Sequence, residues 1–131
     1  MADFKAGDAV PELRVTPDKY LTNRYAGASG DYNPIHVDDE FAKSVGLPGN
    51  ILHGLYGMGL VAKAAAQGLA QGDPRALKKL TVQFRGMGLP EQEIDVTGTV
   101  KEVDGNRVTV DLEARQGDTR IIRNAVAELE I

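Results

Sequence analysis

Both histidines of the chain, His36 and His53, fall within the stretch from Tyr25 to Leu60. Imidazole ordinarily titrates near neutral pH, so proton-transfer chemistry concentrates in this stretch. It opens as Tyr25-Ala-Gly-Ala-Ser-Gly-Asp31-Tyr-Asn33-Pro34-Ile-His36. Folded back on itself, that loop lets Asp31 and His36 hold one water molecule between a carboxylate and an imidazole, the equipment of general acid–base catalysis. Pro34 favours the fold by restricting Asn33 to extended conformations. Asn33 is then placed to hydrogen-bond across the loop and orient a catalytic side chain.

A second piece follows at Ile51-Leu52-His53-Gly54. Gly54 begins a helix of small residues. The first amides of a helix have no partner within it and lie at the positive end of its dipole. The Gly54 N–H is therefore suited to receive negative charge developing on an oxygen, and no Cβ keeps a ligand away; one such donor is worth roughly 3 kcal/mol of barrier. Tyr56 either lines a ligand pocket or packs. Ser29 contacts the loop or a ligand, with the structural role preferred. His53 reads as a support for the start of the helix.

Each of these residues has a plain structural alternative. Aspartate near Asn-Pro is a common turn, and a solitary histidine is often a satisfied buried group. The combination of Gly30-Asp31, Asn33-Pro34, His36 and the His53-Gly54 helix start is what favours catalysis. The oxygens of Asp31, Asn33, Asp38, Asp39 and Glu40, with His36, also suggest a calcium loop. However, the glycine and glutamate spacing of such a loop is missing and Pro34-Ile35 interrupts the ligands. Asp38 is better read as a helix cap, with Asp39 and Glu40 in the favourable first turn, and no metal is assigned.

The elements that must position these groups can be read in order. Ala6 to Val15 forms a peripheral strand, because Pro11 lacks the amide a ladder needs. Thr16-Pro17-Asp18 reads as a helix start, with Tyr20, Leu21, Tyr25 and Ala28 on one face and Gly27 and Gly30 at the end. A short helix opens at Asp38 and stops at Gly46. From Gly54 to about Gln71, Leu55, Met58, Ala62, Ala65 and Leu69 make a helical stripe. Glycines at 57, 59 and 68 within this helix point to something approaching closely, since each costs roughly 0.5–1 kcal/mol relative to alanine.

Beyond Gly72-Asp-Pro74 the period changes to two. Leu80, Val82 and Phe84 alternate with polar residues, as do the segments beginning at Ile94, Val108 and Ile121, joined by the Asp104-Gly105-Asn106 and Gln116-Gly117-Asp118 turns. These are four half-buried antiparallel strands in a meander, with the long helix as cover. The chain is one α+β domain spanning residues 1–131.

Composition sets the remaining bounds. The 131 residues suffice for one core but not two. With 15 basic and 19 acidic residues, net charge −4, and the basic ones scattered apart from Lys78-Lys79, no basic stripe exists for nucleic acid. There are no cysteines, so disulfides and thiolate chemistry are absent. Met-Ala-Asp-Phe-Lys lacks the pattern of a signal peptide, and no apolar run is long enough to span a bilayer. A cytoplasmic location is expected.

The stretch from Tyr25 to His36 resembles the hydratase motif of the MaoC-like, or (R)-specific enoyl-CoA hydratase, family. The likeness is strongest from Tyr25 to Gly59 and continues through Val82-Gln-Phe-Arg85 and Pro90. It implies a hot dog fold, an antiparallel sheet wrapped around one long helix, in agreement with the helix-then-strands order. It also implies hydration of trans-2-enoyl thioesters of CoA or acyl carrier protein to (R)-3-hydroxyacyl thioesters, or the reverse. Asp31 and His36 are then the catalytic pair, and no cofactor is needed. A homodimer, or a hetero-oligomer with a related hot dog subunit, is implied, with the site near the interface. Arg85, Lys78 or Lys79 would meet CoA phosphates, or are simply solvated. Other functions of this fold remain open: an acyl-thioester-binding or partner subunit of a dehydratase, or a thioesterase. One departure stands out. Where the family carries a Pro-x-x-Pro-Gly-Asp turn, this chain has Gly86-Met-Gly-Leu-Pro90-Glu91-Gln92, which lacks the Gly-Asp pair.

Overall fold

The structure, a computed structural model, describes residues 3–131. Met1 and Ala2, where the segment read for a signal peptide begins, lie outside the described residues. In chain order the elements are β1 (Ala9–Val15), α1 (Leu21–Ser29), α2 (Pro34–Val37), α3 (Asp39–Ser44), α4 (Gly54–Leu69), β2 (Leu77–Phe84), β3 (Ile94–Asp104), β4 (Arg107–Gln116) and β5 (Thr119–Glu130). The strands form one antiparallel sheet in the order β1-β3-β4-β5-β2, and α4 packs against it, sharing one core with all five strands. This is the hot dog fold.

Local chemistry explains much of the order. Two-residue turns join the central hairpins: Asp104 pairs with Arg107 around Gly105 at φ 60°, and Gln116 with Thr119 around Gly117 at φ 57°. Glycine adopts that left-handed backbone without a Cβ clash. At the sheet edge, the register of β1 slips between Val10 and Leu13, a bulge at Pro11 where no amide is available for the ladder. The bulge leaves Val10 pointing into the core.

Strands β3, β4 and β5 form a meander, but β2 does not precede β3 in it. Instead β2 pairs with β5 at the far edge, with Leu80 opposite Ala127 and Phe84 opposite Ile122. The chain must then cross from one edge region to the other through residues 85–93. Buried Gln116 holds this crossing: its Oε1 accepts the Leu89 N–H at 2.8 Å, and its Nε2 donates to the Leu89 and Gln92 carbonyls at 2.7 and 3.1 Å. Glu91 sits at φ 67° at the position where the Pro-Gly-Asp pattern supplies glycine. The unusual turn therefore keeps a left-handed backbone, and the Glu91 amide is tied to the Pro17 carbonyl.

The face of α4 that meets the sheet differs from the hydrophobic stripe. Gly57, Val61, Ala64, Ala65 and Leu69 are buried, while Met58 and Ala62 are half-buried and Leu55 is 61% exposed. The reason is distance. A Cβ on Gly57 would lie 3.2 Å from Ile122 Cδ1, and one on Gly68 would lie 2.9 Å from Val10 Cγ1 and 3.0 Å from Pro11 Cδ. The sheet's large side chains fill the space, so the helix must supply the small ones. Gly59 has open space around it and does not share this role. Phe84, expected to point inward, is 54% exposed, because β2 is an edge strand whose register shifts twice against β5.

Two helix boundaries also move. Helix α1 starts at Leu21 rather than at Thr16-Pro17. Asp18 instead makes a preceding turn, its carboxylate accepting the Tyr20 N–H at 2.8 Å and pairing with Arg24 at 2.6 Å. The buried face of α1 is Thr22 and Ala26, with Leu21 and Tyr25 half-buried and Tyr20 and Ala28 exposed. Gly27 lies within the helix, and Gly30 alone ends it, at φ 80°. Asp38 caps α3 through the Phe41 N–H, at 3.2 Å, as read.

The packing contrast between two glycines of α4 is testable in urea. Gly68→Val overpacks the contact with β1 and lowers stability by about 1–3 kcal/mol. Gly59→Ala raises it by roughly 0.5–1 kcal/mol through helix propensity. A Gly68→Val chain as stable as wild type would show that β1 does not press on the helix.

Candidate active site

The polar loop after α1 is built by side chains that each catch a backbone amide two residues on. Ser29 Oγ donates to the Tyr25 carbonyl at 2.7 Å and accepts the Asp31 N–H at 3.2 Å. Asp31 Oδ1 accepts the Asn33 N–H, and Asn33 Oδ1 accepts the Ile35 N–H, both at 3.2 Å. Such bonds favour turns and helix starts. Asn33 is the N-cap of α2 with Pro34 at its first turn. Its bond is thus local, within the loop rather than across it, and it bears on His36 by starting the four-residue helix that carries it. This short helix is an addition to the elements expected from the sequence.

His36 is buried, and its Nδ1 lies 2.8 Å from the Ile51 carbonyl. A carbonyl only accepts, so Nδ1 carries the proton and Nε2 of the neutral ring is left as an acceptor. The Ile51 N–H in turn donates to the Ile35 carbonyl at 3.1 Å, which clasps α2 to the segment leading into α4. The free Nε2 stands 3.8 Å from Asp31 Oδ2. That is too long for a direct hydrogen bond, so the pair leaves both atoms available to a third molecule. The Asp31 side chain is 53% exposed.

His53 joins the pair to α4. Its ring stacks on His36 at 3.9 Å and 19°, and its Nε2 lies 3.1 Å from the main-chain carbonyl of Asp31. Its side chain makes no cap bond to α4, and the Gly54 amide, the first of the helix, has no partner within it. A Cβ at Gly54 would come within 3.2 Å of the Phe84 ring. Tyr25 lies 4.6 Å from the His53 ring, and Tyr56 meets Tyr25 edge-on at 5.9 Å. Burial raises the Tyr56 phenol above its ordinary pKa, with Arg24 opposing. Tyr56 therefore packs behind the site; it lines neither cavity beside the histidines.

Two cavities meet at this point. One, of about 200 Å³, is chiefly apolar and is lined by His36, Leu52, Gly57, Met87, Ile121 and Ile122 among others. The second, of about 260 Å³, is lined by Tyr25, Ser29, Asp31 and Leu55. His53, Gly54 and Phe84 border both. Asp31 thus faces one cavity and His36 the other, with the Gly54 amide between. A larger surface hollow of about 440 Å³ near Lys19, Asp39 and Glu91 contains neither histidine. Lys78 and Lys79 do not converge on the site, since Lys79 lies five residues and about 17 Å along β2 from Phe84; Arg85 adjoins Phe84.

Asp31, His36 and His53 present possible metal-ligand atoms within 4.8 Å of one another. Stacked imidazoles aim their in-plane lone pairs side by side instead of at one point, which does not suit a shared ion about 2 Å from each nitrogen. Three groups of the structure carry little local sequence signal: His53, whose carbonyl and ring partners are 22 and 17 residues away in sequence; the Ile51 carbonyl, which has no side-chain signature; and Gln116, which in sequence is part of a turn. No local pattern could reveal contacts of that range.

A family model described as MaoC like domain matches residues 5–120. Over 75 residues the chain is 45% identical to the peroxisomal enoyl-CoA hydratase 2 of Arabidopsis thaliana, covering 57% of this chain and 23% of that protein. Over 125 residues it is 36% identical to the peroxisomal hydratase-dehydrogenase-epimerase of Neurospora crassa, covering 95% of this chain and 13% of that one. The chain thus spans less than a quarter of the length of these curated relatives. Among solved structures, R-hydratase PhaJ1 from Pseudomonas aeruginosa matches with a TM-score of 0.85 at 22% identity, over 97% of this chain and 82% of that one, a likeness of fold. The family match runs from before β1 to the start of β5 and takes in the whole polar loop and α4; the chain belongs to the MaoC-like domain family.

Proposed function

We propose that this protein catalyses the reversible hydration of trans-2-enoyl thioesters, of CoA or acyl carrier protein, to (R)-3-hydroxyacyl thioesters. The observation that carries the proposal is the open pair: Asp31 Oδ2 and His36 Nε2, 3.8 Å apart, with the His36 tautomer set by Ile51. A water held between them loses a proton to the pair as its oxygen bonds to C3. The C2–C3 π electrons move toward the thioester, whose oxygen gains negative charge, and the Gly54 N–H stabilises it. The pair returns a proton to C2, so the addition balances as one water. The apolar cavity beside His36 and Gly54 takes the acyl chain. Relatives bearing hydratase names support this reading.

The same proposal includes a single domain over residues 1–131, supported by one hydrophobic cluster that runs from Val10 to Leu129. It includes a dimer with a second copy or a related hot dog subunit, supported by the exposed Leu55 and Phe84 beside the site and the unpaired outer edge of β2. Among the described residues no helix is long and apolar enough to cross a membrane, and a cytoplasmic location accompanies the proposal.

Crotonyl-CoA distinguishes the possible outcomes. Loss of enoyl absorbance without free thiol is expected; free thiol indicates a thioesterase, and no reaction indicates a binding subunit. Asp31→Asn and His36→Ala each lower hydration by about 10²-fold or more, the range of a lost acid–base group, with the far-ultraviolet circular dichroism unchanged. Near-normal turnover in either folded variant would sink the assignment. Light scattering of the purified chain gives the mass of a dimer, and a monomer at assay concentration contradicts the shared interface.

A further inference from the structure

We infer that His53 is a positioning residue that sets where Asp31 stands relative to His36. The inference rests on the hydratase reading for its kinetic consequence. His53 is buried at the start of α4, a place where a polar side chain ordinarily caps the helix. It does not cap. Among the described residues its Nδ1 is buried without a hydrogen-bond partner, and an unsatisfied buried acceptor is unfavourable. Phenylalanine would fill a similar volume without that defect. Helix support and packing therefore leave the imidazole unexplained.

Besides the Tyr25 ring at 4.6 Å, its ring and hydrogen-bond contacts are to the reacting pair. Nε2 lies 3.1 Å from the Asp31 carbonyl. That oxygen only accepts, so Nε2 carries the proton and Nδ1 is the bare nitrogen, the tautomer opposite to that of His36. The other hydrogen bonds that hold Asp31, in which its amide donates to Ser29 Oγ and its carboxylate accepts the Asn33 N–H, lie at exposed positions. The bond from His53 is the partly buried one, and water competes least with it. On its face the same ring carries His36 at 3.9 Å. One rigid ring therefore touches the backbone of the carboxylate and the ring of the base. It is itself anchored where α4 begins, beside the Gly54 amide. Catalytic geometry is sensitive at this scale, since a displacement of about 1 Å can lower a rate by about 10²-fold.

Two variants separate the donor from the packing. His53→Phe keeps a flat ring against His36 and removes the N–H, whereas His53→Gln keeps an N–H near the Nε2 position. With crotonyl-CoA, His53→Phe is expected to lower kcat by about 10- to 10²-fold with KM changed by less than about twofold, and His53→Gln to recover a substantial part of kcat. Hydrogen exchange supplies a readout independent of turnover. In His53→Phe the amides of Asp31, Asn33 and Ile35 exchange about tenfold faster or more, while those of α4 and the β3–β5 strands do not. Wild-type kcat in His53→Phe, equal losses in both variants, or exchange that rises throughout the core would overturn the inference. If wild type leaves crotonyl-CoA unchanged, the hydratase reading fails on its own. The exchange comparison then still decides whether His53 holds the loop.

Discussion

The depth at which α4 sits in the sheet is the constraint on which the rest of this molecule depends. Gly54, Gly57 and Gly68 fall on one face of the helix, and added Cβ atoms there would press on Phe84 of β2, Ile122 of β5 and Val10 of β1. The helix is therefore seated across the sheet from one edge strand to the other, with no room to rise or to slide by a turn. Its first turn is the end that meets Asp31 and His36, through His53. Because Gly54 is fixed against β2, the preceding Leu52 and His53 are fixed too, and the Leu52 amide is tied to the Gly88 carbonyl of the crossing segment at 2.8 Å. Packing between small and large residues thus determines where the first helix amide and a buried imidazole stand.

The polar loop meets that fixed point through few atoms. Ser29, Asn33 and one oxygen of Asp31 are used to shape the backbone, and His36 Nδ1 is used on Ile51. On the acid–base pair itself, what remains unused among the described residues is Asp31 Oδ2 and His36 Nε2. Structural and chemical readings of the motif are not rivals here, because the same side chains fold the loop with some atoms and leave others free. Burial differs in the same way: His36 is enclosed, while the Asp31 carboxylate reaches solvent. A water or ligand can enter from the Asp31 side, and an apolar chain can extend past His36 toward Ile121 and Ile122.

What could be read from the sequence follows the range of the interactions. Features decided within a few residues were legible: the Gly105 and Gly117 turns, the Asp38 cap, the edge strand at Pro11 and the helix start at Gly54. So was the helix-and-sheet class, which needs only the change of period after Gly72. Features decided by a distant partner were not. The buried face of α4 differs from the hydrophobic stripe, because hydrophobicity favours Leu55 and Met58 whereas the sheet selects glycine and alanine. The place of β2 next to β5 depends on pairing across the sheet, which its alternation does not encode. Thr16-Pro17 looked like a helix start, but Asp18 used its carboxylate on Tyr20 and delayed the helix by a turn. The spacing of Asp31 and His36 was visible; the Ile51 carbonyl and His53 that orient them lie too far along the chain for any local pattern.

The central claim is that Asp31 and His36 deliver one water to one face of an enoyl thioester held by the Gly54 amide. Incubation with crotonyl-CoA in oxygen-18 water, followed by chiral separation and mass analysis of the 3-hydroxybutyryl product, tests it most directly. The account predicts a single (R) enantiomer with one oxygen-18 at C3 and the thioester intact. A racemic product, or label found in free crotonate with thiol released, would contradict it.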